Sequence, residues 1–155
     1  MDGMTAAESR PHSEEGTGGK ALARYLPSAA RMLMGLMFFV FGLNGFFHFM
    51  PGPKGPMSEG ASAFFGGLAK SGYMLPLIFA TQAIMVALLL ANRFVPLALA
   101  LIAPVIVNIV LFHAFLEPSG IALAIVVAVL EVYLAWAYRK AFAPMLGARV
   151  KPSGP

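Results

Sequence analysis

Four stretches of the sequence, each about twenty residues long, carry almost no charged side chain. A helix needs about twenty apolar residues to cross the ~30 Å hydrocarbon layer of a membrane, so each stretch is long enough for one crossing. A β-barrel would show shorter segments that alternate between apolar and polar residues. The pattern therefore predicts four transmembrane helices, at about residues 28–50, 72–91, 94–114 and 119–139.

Composition supports a membrane protein and excludes several classes of function. The chain is 59% hydrophobic and 12% charged, whereas soluble domains carry about 25% charged residues. The high isoelectric point comes from basic residues that flank the apolar segments, with no basic stripe interleaved with aromatic residues, so nucleic acid is not an expected partner. There is no cysteine, which excludes disulfide exchange, thiolate metal sites and iron–sulfur ligation by this chain.

The apolar segments divide the chain into three parts. Residues 1–21 are rich in Gly, Ser, Thr and Glu, which predicts a disordered tail. Residues 22–142 hold the four helices, and residues 143–155 form a second tail. The predicted fold class is an all-α integral membrane four-helix bundle, with the lipid bilayer as its surroundings.

The basic residues predict the orientation of the bundle. With four spans, both termini and the connection between the second and third segments lie on one side of the membrane. By the positive-inside rule, the side that is richer in Lys and Arg faces the cytoplasm. The termini are therefore expected to be cytoplasmic, since their side carries Arg10, Lys20, Arg24, Arg31, Arg93, Arg139, Lys140, Arg149 and Lys151, against Lys54 and Lys70 on the other.

The long connection between the first two segments, residues 51–71, opens with three prolines and two glycines within six residues. Such a run does not form regular structure. Farther on, Phe64, Phe65 and Leu68 cluster at helical spacing. This pattern favours a short interfacial helix over residues 59–70, lying across the outer mouth of the bundle, over an apolar loop.

Polar side chains inside the apolar segments are candidates for a ligand-binding site. Asn44 and His48 are four residues apart in the first segment, so they share one face of a helix. The third segment has a similar pair, Asn108 and His113, and Gln82 lies in the second segment at a nearby depth. These five side chains are expected to line one cavity that opens outward.

Two interpretations of these polar residues remain open. Polar groups in a membrane span are costly and are functional candidates by default. They also hydrogen-bond across helices as packing contacts, at about 1 kcal/mol each. The two Asn/His pairs differ in helix geometry. Asn108 and His113 are five residues apart, so on a regular helix they point ~140° apart and do not share one face.

Glu131 is the only acidic residue inside an apolar segment, and it lies in the cytoplasmic half of the fourth. Arg31, at the base of the first segment, is its expected partner, since a long Arg side chain can reach along a helix to a carboxylate. A buried structural ion pair and a proton-relay role are the two interpretations.

Short motifs in all but the last of these segments resemble the DoxX-like family of four-helix bacterial membrane proteins. They are residues 31–36 (RMLMGL), 42–46 (GLNGF), 71–73 (SGY) and 93–99 (RFVPLAL). The resemblance covers roughly residues 24–142 and implies the four-helix fold, the bacterial inner membrane and an association with membrane redox or envelope processes. It carries over no catalytic residue, and Gln82 stands where many relatives are expected to have a carboxylate.

Two functions follow as expectations. In the first, the protein is a redox-linked or quinone-associated accessory subunit with a membrane redox partner, and its Asn/His site holds a quinone or a haem, since neutral imidazoles suit either ligand. In the second, it is a non-enzymatic membrane partner or small-solute transporter that uses the same cavity. In the first case His48 and His113 would be the ligands of a haem or a metal, and no other metal site is predicted.

Overall fold

The computed structural model describes residues 15–47, 49–50 and 55–149, and all the regular structure in this part of the chain is helical. The predicted all-α class is thereby confirmed for the described residues. The helices are α1 (Glu15–Phe47), α2 (Glu59–Lys70), α3 (Met74–Leu90), α4 (Val95–Phe115), a 3-10 turn (Pro118–Gly120), α5 (Ile121–Ala137), the single turn α6 (Arg139–Phe142) and a second 3-10 turn (Ala143–Leu146).

Three helical segments are long and apolar enough to cross a membrane: Ala23–Asn44, Val95–Phe115 and Pro118–Ala137. The pair α2 and α3 passes the same test only as one unit, and the two helices meet at 90°. The described chain therefore has three candidate spans, or up to four if this bent pair provides one.

The helix boundaries agree with the predicted ones except in α1. This helix is 33 residues long and begins at Glu15, within the segment whose composition predicts a disordered tail. Residues 20–26 (KALARYL) are mostly good helix formers, and extending an existing helix is far easier than starting one. At its other end α1 stops at Phe47, three residues before the predicted end at residue 50. Residues 1–14 of the predicted tail lie outside the described residues.

Four helices form a closed ring in the order α1, α3, α4, α5, with each packed against its two neighbours. The short connections after α3 and α4 make α3–α4 and α4–α5 antiparallel hairpins. Arg31, midway along α1, touches Leu89 at the end of α3. Gly42, farther along α1, lines a groove with Gln82, farther back in α3. Helix α1 is therefore antiparallel to α3 as well. The ends of α1 and α4 therefore lie at one end of the ring.

The interior of the ring is apolar and closely packed. Its largest fully buried side chains come from all four helices, and the outward faces of the same helices carry many exposed large apolar residues. Such an apolar outer surface is expected when lipid, not water, surrounds the bundle. The fully buried residues are Met34, Met85, Leu89, Leu99, Ile102 and Leu134.

The seam between α1 and α3 is tightest at Gly35. A Cβ added there would lie 2.8 Å from Leu90 Cδ2 and 3.6 Å from Leu89 Cβ, whereas one added at Gly42 would meet nothing within 4 Å. Small residues let membrane helices approach closely. Gly35 therefore allows the Leu90 side chain of α3 to pack directly against α1.

Helix α2 occupies the long connection, which confirms the predicted short helix over an apolar loop. Ser58 caps its first turn, and Ala61 is fully buried. Its acidic residue, Glu59, lies in the first turn and its basic residue, Lys70, in the last. This arrangement complements the helix dipole at both ends.

A large side chain at Gly35 should push α1 and α3 apart. We expect Gly35→Leu to lower the free energy of unfolding by about 1–3 kcal/mol through overpacking. Thermal unfolding in detergent measures this change. Gly42→Ala is the matched control on the same helix and should leave stability unchanged or slightly higher, since Ala favours helix over Gly. An unaltered melting temperature for Gly35→Leu would contradict the close approach.

Candidate functional site

A hydrogen-bonded cluster joins the start of α2 to the turn after α4. Ser58 Oγ accepts from the backbone N–H of Ala61 at 3.1 Å and donates to the carbonyl of Leu116 at 2.5 Å. The backbone N–H of Ser58 donates to Glu117 Oε2 at 3.1 Å. The first turn of α2 is thus held against the end of α4.

Glu117 completes this cluster from the turn between α4 and α5. Ser119 Oγ donates to Glu117 Oε1 at 3.0 Å, so each carboxylate oxygen has a donor. The hydrogen bond from the Ser58 backbone, then that from Ser119 and the nearby His113, hold the pKa of Glu117 below its ordinary value. Hydrogen bonds to the ionised form have this effect because they stabilise the charge.

His113 also belongs to the cluster, as a cap on the end of α4. Its Nδ1 lies 2.7 Å from the carbonyl oxygen of Glu117. Since a carbonyl only accepts, Nδ1 must carry a proton and donate it to this oxygen. The ring rests on Gly120, where an added Cβ would overlap it. The geometry gives His113 a structural role in the turn.

Aromatic rings pack α2 onto α4 beside these hydrogen bonds. The Phe112 ring centroid lies 5.5 Å from that of Phe64 and 5.2 Å from that of Phe65. These spacings are typical of favourable aromatic contacts. Asn108 is exposed in an open groove of about 240 Å³ between α4 and Phe64, where every other lining residue is Phe or Leu.

Gln82 lies in a different groove, between α1 and α3, with a volume of about 340 Å³. Within the described part of the chain its amide has no hydrogen-bond partner. An amide in apolar surroundings is costly unless it is paired. The other lining residues are apolar, and three of them are phenylalanines. They are Phe38, Phe39, Gly42, Leu43, Phe79, Ala83, Val86, Ala87 and Leu90.

Asn44 lies in the last turn of α1, where its Oδ1 accepts from the backbone N–H of Met50 at 2.6 Å. This bond ties the chain that leaves α1 back onto the helix. Asn44 thus has a local structural partner in the described residues. His48, its predicted companion, lies outside them.

The structure does not bring the predicted site residues into one cavity. Gln82 and Asn108 line separate grooves, and His113 is turned into the α4–α5 connection. The physical reason is helix phase, since Asn108 falls on the exposed face of α4 while Ile102 and Ile106 fall on its buried face. The sequence showed these residues to be polar but not which way each one faces.

Metal and haem ligands are sparse in the described residues. They contain no group of three or more His, Cys, Asp or Glu side chains that could hold a metal ion. A bis-histidine haem needs two facing imidazoles. His113 is the one histidine among the residues that the structure describes, and its ring is hydrogen-bonded to the carbonyl of Glu117 in the turn.

Arg31 and Glu131 lie on neighbouring helices but do not form an ion pair in the described structure. Arg31 is 7% exposed, and its Nη1 donates to the carbonyl of Leu89. Arg31 Nε and Glu131 Oε2 are both buried without a hydrogen-bond partner. The carbonyls at the end of α3 compete for the guanidinium because they lack helical partners and carry the negative end of the helix dipole.

Sequence reasoning missed the cluster of Ser58, Glu117 and Ser119. Part of the signal was available, because a serine directly before a helical segment is a preferred N-cap. Its pairing with Glu117, 59 residues away, has no local signature. The aromatic walls around Gln82 were equally hidden among many apolar residues.

Comparisons with protein families, with curated proteins and with solved structures find no match to this chain. The assignment of the site therefore depends on its geometry.

Removing the charge of Glu117 should loosen α2. A glutamine offers one acceptor oxygen in place of two, so Glu117→Gln cannot serve both Ser58 and Ser119. We expect faster hydrogen exchange of the α2 amides at neutral pH. Because folding lowers the pKa of Glu117, its stabilisation is complete above the ordinary value of 4.5 and is lost as pH falls through the lowered one.

The difference between Glu117→Gln and the unaltered protein should therefore disappear at acid pH. Glu59→Gln is the matched control, since it removes the same charge near the same helix end but leaves the cluster intact. Equal exchange rates in the two variants would contradict a specific role for Glu117.

Proposed function

We propose that the chain is a four-helix integral membrane protein of the DoxX-like kind in a bacterial inner membrane. In this arrangement α1, α3, α4 and α5 cross the bilayer, and α2 lies at its outer surface. The 17 residues of α3 are ~26 Å long, close to the hydrocarbon thickness. The 90° angle between α2 and α3 suits one helix along the surface and one across.

The distribution of charge supports cytoplasmic termini. Among the residues whose side chains the structure describes, the end of the bundle that holds the start of α1 carries Arg24, Arg93, Arg139, Lys140 and Arg149. The end with α2 carries Lys70 together with Glu59 and Glu117. The positive-inside rule assigns the basic end to the cytoplasm.

We further propose that the protein binds a quinone in the groove between α1 and α3, as a redox-linked accessory subunit. One observation carries this proposal: an unpaired amide, Gln82, in an otherwise apolar, aromatic-lined groove of about 340 Å³. A small number of polar groups among apolar walls is typical of ligand sites. The amide N–H of Gln82 can donate to a quinone carbonyl, while Phe39, whose side chain is exposed, offers an apolar surface to the ring.

Access also favours a lipid-soluble ligand. The groove lies on the outer surface of the ring and is open along one side, so a ligand dissolved in the bilayer enters laterally. The protein contributes binding and orientation. Electron transfer belongs to the quinone and to a membrane redox partner, since the described residues offer no thiol or metal cluster of their own.

A second function is favoured by a different property of the same groove. Gly42, Ala83 and Ala87 are small and lie along it, and small residues are where membrane helices pack together. A transmembrane helix of a partner protein could fill the groove without any quinone.

Quinone binding should depend on the amide of Gln82. We expect Gln82→Leu to weaken the binding of decylubiquinone about fivefold, the effect of losing one hydrogen bond of about 1 kcal/mol. Gly42→Leu should weaken it more, because the new side chain fills the groove. Equilibrium titration of the purified protein in detergent measures both changes.

Asn108→Leu is the matched control, since it makes the same amide-to-apolar change in the other groove and should not alter quinone affinity. Equal losses in the Gln82 and Asn108 variants would overturn the site. If the unaltered protein binds no quinone, and Gly42→Leu instead lowers the mass of the complex isolated in mild detergent, the partner-helix function is supported.

Cysteine labelling checks the orientation, because the native chain has no cysteine. In intact cells whose outer membrane has been removed, a membrane-impermeant maleimide should label Ala63→Cys on α2. It should label Lys140→Cys only after the cells are broken. The reverse pattern would overturn the proposed topology.

A further inference from the structure

A second groove runs along the outer surface between α4 and α5. Its volume is about 510 Å³, and its walls expose no polar atoms. Several of its residues are among the more exposed apolar side chains, with Val132 69% and Trp136 61% accessible. The lining residues are Val110, Ile125, Ala128, Val129, Val132, Tyr133 and Trp136.

The dimensions of this groove match one leaflet of a membrane. From Ile125 to Trp136 is eleven residues, or ~16 Å along the helix axis. Half of the ~30 Å hydrocarbon layer is ~15 Å. The groove can therefore hold one acyl chain over most of its length.

A cation lies at the Trp136 end of the groove. The guanidinium carbon of Arg139 is 4.4 Å from the centroid of the Trp136 ring, and its Nη1 donates to the carbonyl of Trp136 at 2.9 Å. These contacts hold the charge in place. In the described part of the chain no other group accepts from this guanidinium, so its remaining N–H groups can bind an anion.

Further basic residues share this end of the bundle with Arg139. Lys140 is the next residue, and Arg93 lies in the α3–α4 turn at the same end of the bundle. Among the other charged residues of the described helices and turns, Glu59 and Glu117 lie at the opposite end, Glu131 lies eight residues before Arg139 on α5 with its Oε2 buried, and Glu15 begins α1. The apolar groove thus leads to a cluster of exposed basic side chains.

We propose that this surface binds an anionic phospholipid of the cytoplasmic leaflet. One acyl chain lies in the α4–α5 groove, and the phosphate of the headgroup contacts Arg139, with Lys140 adding to the attraction. An arginine fork suits a phosphate because it donates two parallel hydrogen bonds. Basic residues beside a membrane helix also attract anionic lipid. This inference rests on the proposed membrane insertion but not on quinone binding.

The test is lipid binding by the purified full chain in neutral detergent, followed by native mass spectrometry. The probes are dioleoylphosphatidylglycerol, which is anionic, and dioleoylphosphatidylcholine, which has the same chains and no net charge. We expect the anionic lipid to bind several-fold more tightly. Its affinity should fall about fivefold in Arg139→Gln, since each basic residue near an anionic surface contributes about this factor.

Two further variants separate the parts of the site. Lys70→Gln removes a positive charge at the opposite end and should leave the affinity unchanged. Val132→Trp fills the groove and should weaken the lipid without altering the charge. All variants should melt at the temperature of the unaltered protein, since the three side chains concerned are exposed.

Equal affinities for the two lipids would overturn the proposal, as would equal losses in Arg139→Gln and Lys70→Gln. The proposal would also be overturned if inorganic phosphate displaced the lipid at constant ionic strength while Val132→Trp had no effect. The groove would then play no part in binding. The proposed quinone site lies on the other side of the bundle. Measuring the affinity of Arg139→Gln for decylubiquinone therefore shows whether lipid binding can be lost while quinone binding is kept.

Discussion

The buried guanidinium of Arg31 is the constraint on which the α1–α3 seam depends. Its Nη1 donates to the carbonyl of Leu89 at the end of α3, and it is the one charged side chain that is buried in the described residues. An unpaired charge in hydrocarbon is far costlier than a paired one. The register of α1 against α3 is therefore set at this point, and Gly35, one turn farther along α1, allows the close approach.

The same seam is more open at the groove that contains Gln82. At Gly35 the helices approach so closely that a Cβ would crowd Leu90, whereas seven residues on, at Gly42, nothing lies within 4 Å of the same position. The seam is therefore looser beside Gly42, and this is where the groove that contains Gln82 lies. Around the α4–α5 connection, by contrast, the polar groups of Ser58, His113 and Glu117 have hydrogen-bond partners.

The two ends of the bundle have different chemistry. At one end, hydrogen bonds and aromatic contacts hold α2 across the end of α4. The other end carries basic side chains. Arg139 there stacks on Trp136, beside an apolar groove that is long enough for one acyl chain. Both proposed ligands, the quinone and the anionic phospholipid, therefore reach the protein from within the bilayer. This arrangement suits a protein whose surroundings are mainly lipid.

Much of the fold could be predicted from the sequence, because hydropathy and charge act along the chain. The uncharged windows located the apolar helices, and clustered aromatic residues located α2. The partners of the polar residues depended on tertiary structure. Arg31 meets Leu89 instead of Glu131, Gln82 and Asn108 face separate grooves, and Ser58 pairs with Glu117. Sequence shows that a side chain in an apolar helix is polar, but its rotation about the helix axis and the neighbouring helix decide what it contacts, and both arise only when the helices pack.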